Sequence, residues 1–518
     1  MAREFNTAVT CNPERHYMVD ITEKMKYVDN LIEKGKYFTI NRGRQFGKST
    51  VLDYIYNNLS DKYYVVAISF ETTSEIAWQS EEGFVDNVCQ KIAVGFSTIR
   101  TKNLEYKRQW TEARKLEKYD DLSNFITDFC ENADKPVILT IDEMDKSLDN
   151  QLFLNFLGML RNKYLDRNKM GMNSTFYSVI LAGVYDVKNL KLKLRPDAER
   201  KYNSPWNVAA DFKLDMTFHP NEIAQMLSDY EAEYHTGMDI NAISEEIYKY
   251  TFGYPILVST ICKIIDEELG KEWTLDSVQK AVKEIIKSKQ LLIDDLTKNL
   301  EIYPEMKKML KAILLEDFSI GFNINNPTIG IANMFAIIKE GESGQVEINN
   351  LIFQQALYNY FISEEALATL YKVPAISQFV KNGCLNMEHV ITRFQNLMYQ
   401  EYRDRDKKFI EQQGRLLFLC FLKPIINGTG FYYVEPQTRE NSRMDLVVTY
   451  NHKEYIIELK IWHGDKYETD GKTQLAEYLT TRNIPEGYLV TFSFAKNKQE
   501  CEPDWVEHNG KRIFEAVI

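Results

Sequence analysis

The chain has 518 residues, 44% of them hydrophobic and 27% charged, and a formal net charge of −12. At about 150 residues per domain the length suggests roughly three domains, and the composition excludes a wholly disordered chain or a uniformly basic nucleic-acid coat. A basic groove confined to one region stays compatible with the acidic total, because the sum hides the distribution.

Taken in chain order, the first half alternates strand-like and helix-like runs. Tyr37–Ile40 reads as a short strand before a glycine-containing turn, and Ser49–Leu59 as a helix. Tyr63–Ser69 is a strand run, followed by helical spacing over Phe84–Phe96 and Leu122–Cys130. Val137–Ile141 is a buried strand, Leu152–Tyr164 a helix, Tyr177–Leu181 another strand, and Asp211–Phe218 a candidate further one. Such alternation predicts an α/β fold with a mostly parallel sheet covered on both faces. From about 220 to 300 the pattern is helical, punctuated by Gly253-Tyr254-Pro255. Helices, a strand-like Gly344–Ile348 and Leu351–Phe361 then follow in an order compatible with a small winged-helix module, and 366–409 reads as a charged helical connector. The last stretch runs helix Phe409–Leu422, strands Phe431–Pro436, Met444–Tyr450 and Tyr455–Trp462, helix Thr473–Thr481 and strand Gly487–Phe494, an αβββαβ order.

Two constellations carry chemistry. The first is Asn41-Arg42-Gly43-Arg44-Gln45-Phe46-Gly47-Lys48-Ser49-Thr50, which follows a strand and opens a helix. Gly47 lets backbone amides curl toward a phosphate, Lys48 places an ammonium on it, Ser49 supplies a hydroxyl for Mg²⁺, and the helix N-terminus adds its dipole. The full G-x-x-x-x-G-K-[ST] pattern is not met, since Arg42 stands where the first glycine belongs. Further on, an apolar strand ends in Asp142-Glu143. Asp142 suits Mg²⁺, and Glu143 suits polarising an attacking water.

These residues resemble the bacterial AAA-ATPase-like family, which carries a V-D-K-T element and then R-P-R-R-F-G-K-S/T. The matching stretches are Tyr17-Met-Val-Asp20-Ile-Thr and Tyr37 to Ser49, and the family's loop shares the arginine at the first-glycine place. This chain departs from it at Gly43 and Gln45. The resemblance implies an ATP site built by Gly43, Arg44, Gln45, Phe46, Gly47, Lys48, Ser49, Thr50 and Asp142. The Gly253-Tyr254-Pro255 element resembles the second sensor region of STAND-type ATPases. Arg195 and Arg200 are candidates to sense the terminal phosphate, with a surface role equally open.

The second constellation is Asp445 and Glu458-Leu459-Lys460. A hairpin turning near Asn451-His452 would bring the two acids together, and Glu458 and Lys460 share one strand face. Two carboxylates can hold Mg²⁺ or Mn²⁺ beside a scissile phosphate, with Lys460 acting on the water and Gln474 orienting it. The surrounding Ile456, Ile457, Leu459 and Ile461 are apolar, so charges here are costly unless paired or metal-bound. The region, with Gly428-Thr-Gly430, Arg443-Met-Asp445-Leu, Ile457-Glu458-Leu-Lys460-Ile-Trp462 and Gln474-Leu-Ala-Glu-Tyr478, resembles the PD-(D/E)XK nuclease superfamily. That resemblance implies metal-dependent phosphodiester cleavage and one more acid on the preceding helix, for which Glu411 is the candidate.

The expected plan is therefore a P-loop ATPase domain of the AAA/STAND kind (1–215), a helical lid (216–300), a helical or winged-helix connector (301–409) and a restriction-endonuclease-like domain (410–518). The expected function is ATP-regulated, metal-dependent cleavage of nucleic acid, DNA ahead of RNA. The alternative is a STAND-like ATP-driven switch or scaffold whose last domain binds nucleic acid or a protein partner without cutting. Seven scattered cysteines without a C-x-x-C pair speak against structural zinc. No uncharged run reaches the ~18 residues of a spanning helix, and no leader is recognisable, so a cytoplasmic protein without membrane partners is expected, with homo-oligomers open.

Overall fold

The computed structural model describes residues 3–8, 10–99, 101, 103–111, 115–147, 150–184, 206–288, 291–315, 319–369, 379–381, 383–401, 411–426, 430–433, 446–451, 453–461, 465–493 and 502–518. These form two compact units: Met1–Leu292 with Phe322–Ile352, and Ile293–Gly321 with Phe353–Ile518.

The first unit is built on a four-stranded, fully parallel sheet. Its strands pair in the order Phe38–Asn41, Ser178–Gly183, Val137–Asp142, Tyr64–Ser69. The two central strands, SVILAG and VILTID, are almost wholly buried, as both faces of a covered parallel sheet require. Helices Lys48–Leu59, Glu81–Ser97, Tyr119–Glu131 and Gln151–Met170 accompany it. One expectation fails: Asp211–Phe218 is not a strand. Among the described residues an isolated parallel bridge, Phe38 to Ala210, stands at that edge. The reason is visible in the partners, because the carbonyls of Phe212 and Leu214 are taken by the Arg42 guanidinium instead of a ladder.

Helices Pro220–Tyr234, Ile240–Thr251, Pro255–Glu267 and Leu275–Lys287 follow. Gly253 interrupts them at φ +70°, and a β-carbon there would lie 2.2 Å from the Phe218 carbonyl oxygen, so both dihedral and space demand glycine. The sequence pattern also passed over a short parallel pair, Glu4–Phe5 with His16–Tyr17. This pair is fastened to the helical layer: Arg3 binds Glu233 at 2.5 Å, Tyr17 also donates to Glu233, and Phe5 stacks among Tyr17, Tyr230 and Trp273. The hairpin Ile338–Glu340 and Val346–Ile348 belongs to this unit, whereas Pro304–Leu315 and most of Leu351–Thr369 belong to the other.

The second unit contains a six-stranded mixed sheet in the order Gly430–Tyr433, Leu446–Tyr450, Lys453–Ile461, Glu486–Phe492, Lys511–Val517, Asp504–His508. Helix Glu411–Ile426 precedes it, and helix Asp465–Thr481 joins two parallel strands. The αβββαβ order is present, in a restriction-endonuclease-like topology. The closing hairpin, Asp504–His508 with Lys511–Val517, extends it. Helix Asp465–Thr481 seats Leu475, Tyr478 and Leu479 on Val447, Ile456, Leu489 and Ile513.

Candidate functional site

The nucleotide loop begins where strand Phe38–Asn41 ends. The backbone turns through Gln45 at φ 58° and Gly47 at φ 76° before helix Lys48–Leu59 starts. Space is open at Gly47, where a β-carbon would meet only the Met216 methyl at 4.0 Å, so left-handed backbone is what selects glycine. Arg42 staples the loop's root, donating to the carbonyls of Asn41 (2.9 Å) and Leu214 (2.8 Å) and lying over the Phe212 ring. Lys48 Nζ donates to the carbonyls of Arg42 (3.1 Å) and Gly43 (2.9 Å), closing the loop on itself. Tyr254, of the Gly-Tyr-Pro element, donates to the Arg44 carbonyl (2.7 Å) and packs its ring 4.4 Å from that of Phe46. Gly43 faces elsewhere: a β-carbon there would sit 3.2 Å from Ala336, and it is not among the residues lining the cavity.

The acids converge on this loop because the Val137–Asp142 strand ends beside it. Ser49 Oγ donates to Asp142 Oδ2 at 3.0 Å. Asp142 Oδ1 accepts the Glu143 amide at 2.9 Å, and Glu143 adopts φ 53°, turning the chain so that Asp145 returns to the site. Asp145 was not foreseen from the sequence. Its signal was the Asp142-Glu143-Met144-Asp145 run at a strand tip. Both Asp145 oxygens lie 2.9 Å from the Val184 amide. Burial pushes the Lys48 ammonium below its ordinary pKa, opposed by Asp145, Glu143 and Asp142. Burial, then Asp142 and Asp145, raises the Glu143 carboxyl.

A cavity of about 690 Å³ opens here, in the size range of small-ligand sites. Its lining includes the run Arg44 to Val51 with Glu71, Glu143 and Asp145, and apolar side chains such as Met18, Val19, Met226 and Pro255. Asp142 does not line the cavity but reaches it through Ser49. An ammonium, a helix N-terminus and a hydroxyl–carboxylate pair at 3.0 Å fit a magnesium nucleotide. Arg195 and Arg200 lie outside the described residues.

In the second unit the expected hairpin is present, with Leu446 opposite Ile457 and Tyr450 opposite Lys453. Glu458 is wholly buried, and Lys460 Nζ lies 2.8 Å from its Oε1. Both belong to the face that carries Ile456, beneath helix Asp465–Thr481, and Lys460 passes close to Gly471 of that helix. Gln474 is half-buried in mid-helix, not at its opening as the pattern suggested, because the helix starts at Asp465. Asp445 lies outside the described residues, as does the Glu411 side chain. Among the described residues no group of three or more metal-ligating side chains assembles. The Glu458 carboxylate beside Lys460 nevertheless offers the hard oxygen donors that a divalent cation takes. The closing hairpin adds residues that the sequence did not single out. Glu515 stands in register Glu458–Leu489–Glu515 and pairs with Lys472 at 2.8 Å.

Comparison with known proteins follows the same division. The AAA-like domain family matches residues 9–328, and the PD-(D/E)XK nuclease superfamily matches residues 429–502. No curated protein matches. Among solved structures, a Walker-type ATPase of Pyrococcus abyssi is similar at 15% identity, covering 68% of this chain and 99% of its own, with a TM-score of 0.46. The Aeropyrum pernix ORC2 protein in its ADPNP–ADP complexes is similar at 10% identity, over 68% of this chain and 96% of its own, TM-score 0.33. The Aeropyrum pernix ORC1 protein in complex with DNA is similar at 10% identity, over 71% and 96%, TM-score 0.29. With more than half of its length matched, the chain belongs to the AAA-like domain family, and it carries a PD-(D/E)XK nuclease superfamily domain on its C-terminal side.

Proposed function

We propose that the chain binds and hydrolyses ATP in the Lys48 cavity and that its nucleotide state regulates metal-dependent cleavage of nucleic acid, DNA ahead of RNA, by the C-terminal domain. The observation that carries the reading is the Ser49–Asp142 contact at 3.0 Å, which joins the loop to the acid-tipped strand. In this reading the amides of Gln45 to Ser49 and the Lys48 ammonium hold the phosphates. Ser49 and Asp142 would hold Mg²⁺, which would offset phosphate charge, and Glu143, its carboxyl raised by partial desolvation and the neighbouring acids, would accept the proton of the attacking water. At the second site Asp445 and Glu458 would hold Mg²⁺ or Mn²⁺, which offsets charge on a phosphodiester. Lys460 orients the water, and Gln474 supports it from the covering helix. The domains are proposed at 1–215, 216–300, 301–409 and 410–518.

Plasmid and RNA cleavage with Mg²⁺ or Mn²⁺, with and without ATP, tests this. Wild type is expected to cut, and Asp445→Ala or Lys460→Ala to abolish cutting while leaving ATP hydrolysis intact. Lys48→Ala is expected to lose nucleotide binding, and Glu143→Gln to bind without turnover. Failure of the wild-type protein to cut any nucleic acid under every nucleotide condition would leave the switch or scaffold reading in its place.

A further inference from the structure

Asp145 does more than a strand cap requires. Its two oxygens receive the Val184 amide at 2.9 Å, at the end of the central strand Ser178–Gly183. One residue earlier, the Gly183 carbonyl accepts the Arg42 amide at 3.2 Å. The Arg42 and Gly43 carbonyls in turn receive Lys48 Nζ at 3.1 and 2.9 Å. A path of hydrogen bonds, joined through the Gly183–Val184 peptide and the Arg42 backbone, thus runs from the Asp145 carboxylate, through the strand end, to the loop ammonium. The strand end is crowded against the acid: a β-carbon at Gly183 would lie 2.8 Å from Asp145 Oδ1. Asp145 also lines the cavity beside Glu143, so one end of the chain is open to whatever occupies it.

Capping one amide needs only a neutral oxygen. A third carboxylate beside Asp142 and Glu143, in a cavity for an anion, is unfavourable unless the charge is used. We propose that Asp145 is a positioning residue of the nucleotide site, coupling the terminal phosphate of a bound nucleoside triphosphate and its hydrating water to the strand end that fixes the Lys48 loop. The inference rests on the reading of this cavity as a nucleotide site. A diphosphate lacks the terminal group and leaves Asp145 on Val184. A triphosphate with its cation brings water and positive charge to the carboxylate, and the Val184–Gly183–Arg42 path transmits the change to the loop.

The test uses the full chain with ATP and ADP, measuring both affinities and the steady-state kcat and KM, with thermal unfolding as a control. Asp145→Asn keeps the acceptor for Val184 and removes the charge. It is expected to leave ADP affinity within about twofold, to lower kcat by about tenfold or more, and to bring the ATP-to-ADP affinity ratio toward one. Asp145→Glu, which keeps the charge, is expected to recover part of the ratio. Unchanged kcat and ratio in Asp145→Asn would overturn the proposal. So would a parallel loss of ATP and ADP affinity accompanied by a lower melting temperature, which marks structural support alone. If wild type binds neither nucleotide, the reading of the cavity fails and the inference falls with it. If wild type binds and turns over ATP, only the role of Asp145 is at stake.

Discussion

At the scale of single residues, Glu458 and Lys460 make the sharpest case. A wholly buried carboxylate 2.8 Å from a lysine ammonium is stable only as a pair, because the carboxylate alone would be left in a low-dielectric interior, while the lysine keeps partial access to water. Lys460→Ala is therefore expected to destabilise the C-terminal domain by about 3 kcal/mol, and adding Glu458→Gln to restore most of it. Urea unfolding of the single and double variants checks this, and equal stability for Lys460→Ala and wild type would contradict it. The apolar run around Glu458 made this pair legible in the sequence. The Asp145 chain was not legible, since its links are backbone amides and carbonyls from three separate strands and loops. Arg42 lies between these cases. It departs from the usual glycine in sequence, and the structure gives the reason: its guanidinium holds carbonyls of the chain at 212 and 214.

At the scale of elements, the loop and the helical layer meet through Tyr254. Tyr254→Phe removes its bond to the Arg44 carbonyl, at a cost of about 1 kcal/mol. It is expected to raise the KM for ATP severalfold with little change in kcat, read from steady-state hydrolysis. Gly253→Ala is far more severe, because a β-carbon would clash with the Phe218 carbonyl on a left-handed backbone. A loss of about 3 kcal/mol or more and a non-cooperative melt of the first unit are expected, measured by circular dichroism. The segment entering helix Pro220–Tyr234 is also expected to be pH-sensitive. Burial opposes ionisation of Asp215, but the Thr217 amide and hydroxyl, with His219 and Lys24, outweigh it and hold the carboxyl below its ordinary value. The native state thus binds that proton less tightly than the unfolded chain. The stabilisation is full above the unfolded pKa of 3.8 and disappears as pH falls through the lower native value. Asp215→Asn should therefore unfold more readily than wild type near neutrality, and the difference should vanish at the acid end of a pH series.

At the scale of the whole molecule, the net charge of −12 bounds how the proposed nucleic-acid substrate would be held. On the proposed function, binding would rest on a local basic surface and a bound cation, so affinity is expected to fall steeply between about 50 and 200 mM salt, by filter binding at fixed Mg²⁺. Among the described residues no helix is long and apolar enough to cross a membrane. The two compact units do not follow chain order strictly, since Phe322–Ile352 belongs with the first and Ile293–Gly321 with the second.

The sequence alone determined the local grammar. Alternating buried strands and amphipathic helices specify an α/β sheet, a glycine before Lys48 specifies the loop, and charges intruding on an apolar strand mark the second site. Each of these signals lies within about ten residues, where dihedral preference and burial period act directly. One local signal was overlooked: Asn509-Gly510, both at positive φ, turns the closing hairpin that brings Glu515 onto the face of Glu458. Tertiary structure alone decided which distant groups meet. It set Ser49 against Asp142, Tyr254 on the loop, Asp145 on Val184 and Lys472 on Glu515, and it withheld Asp211–Phe218 from the sheet by giving its carbonyls to Arg42. Those pairings depend on competition among many possible partners for one hydrogen bond, and only the packed chain resolves that competition.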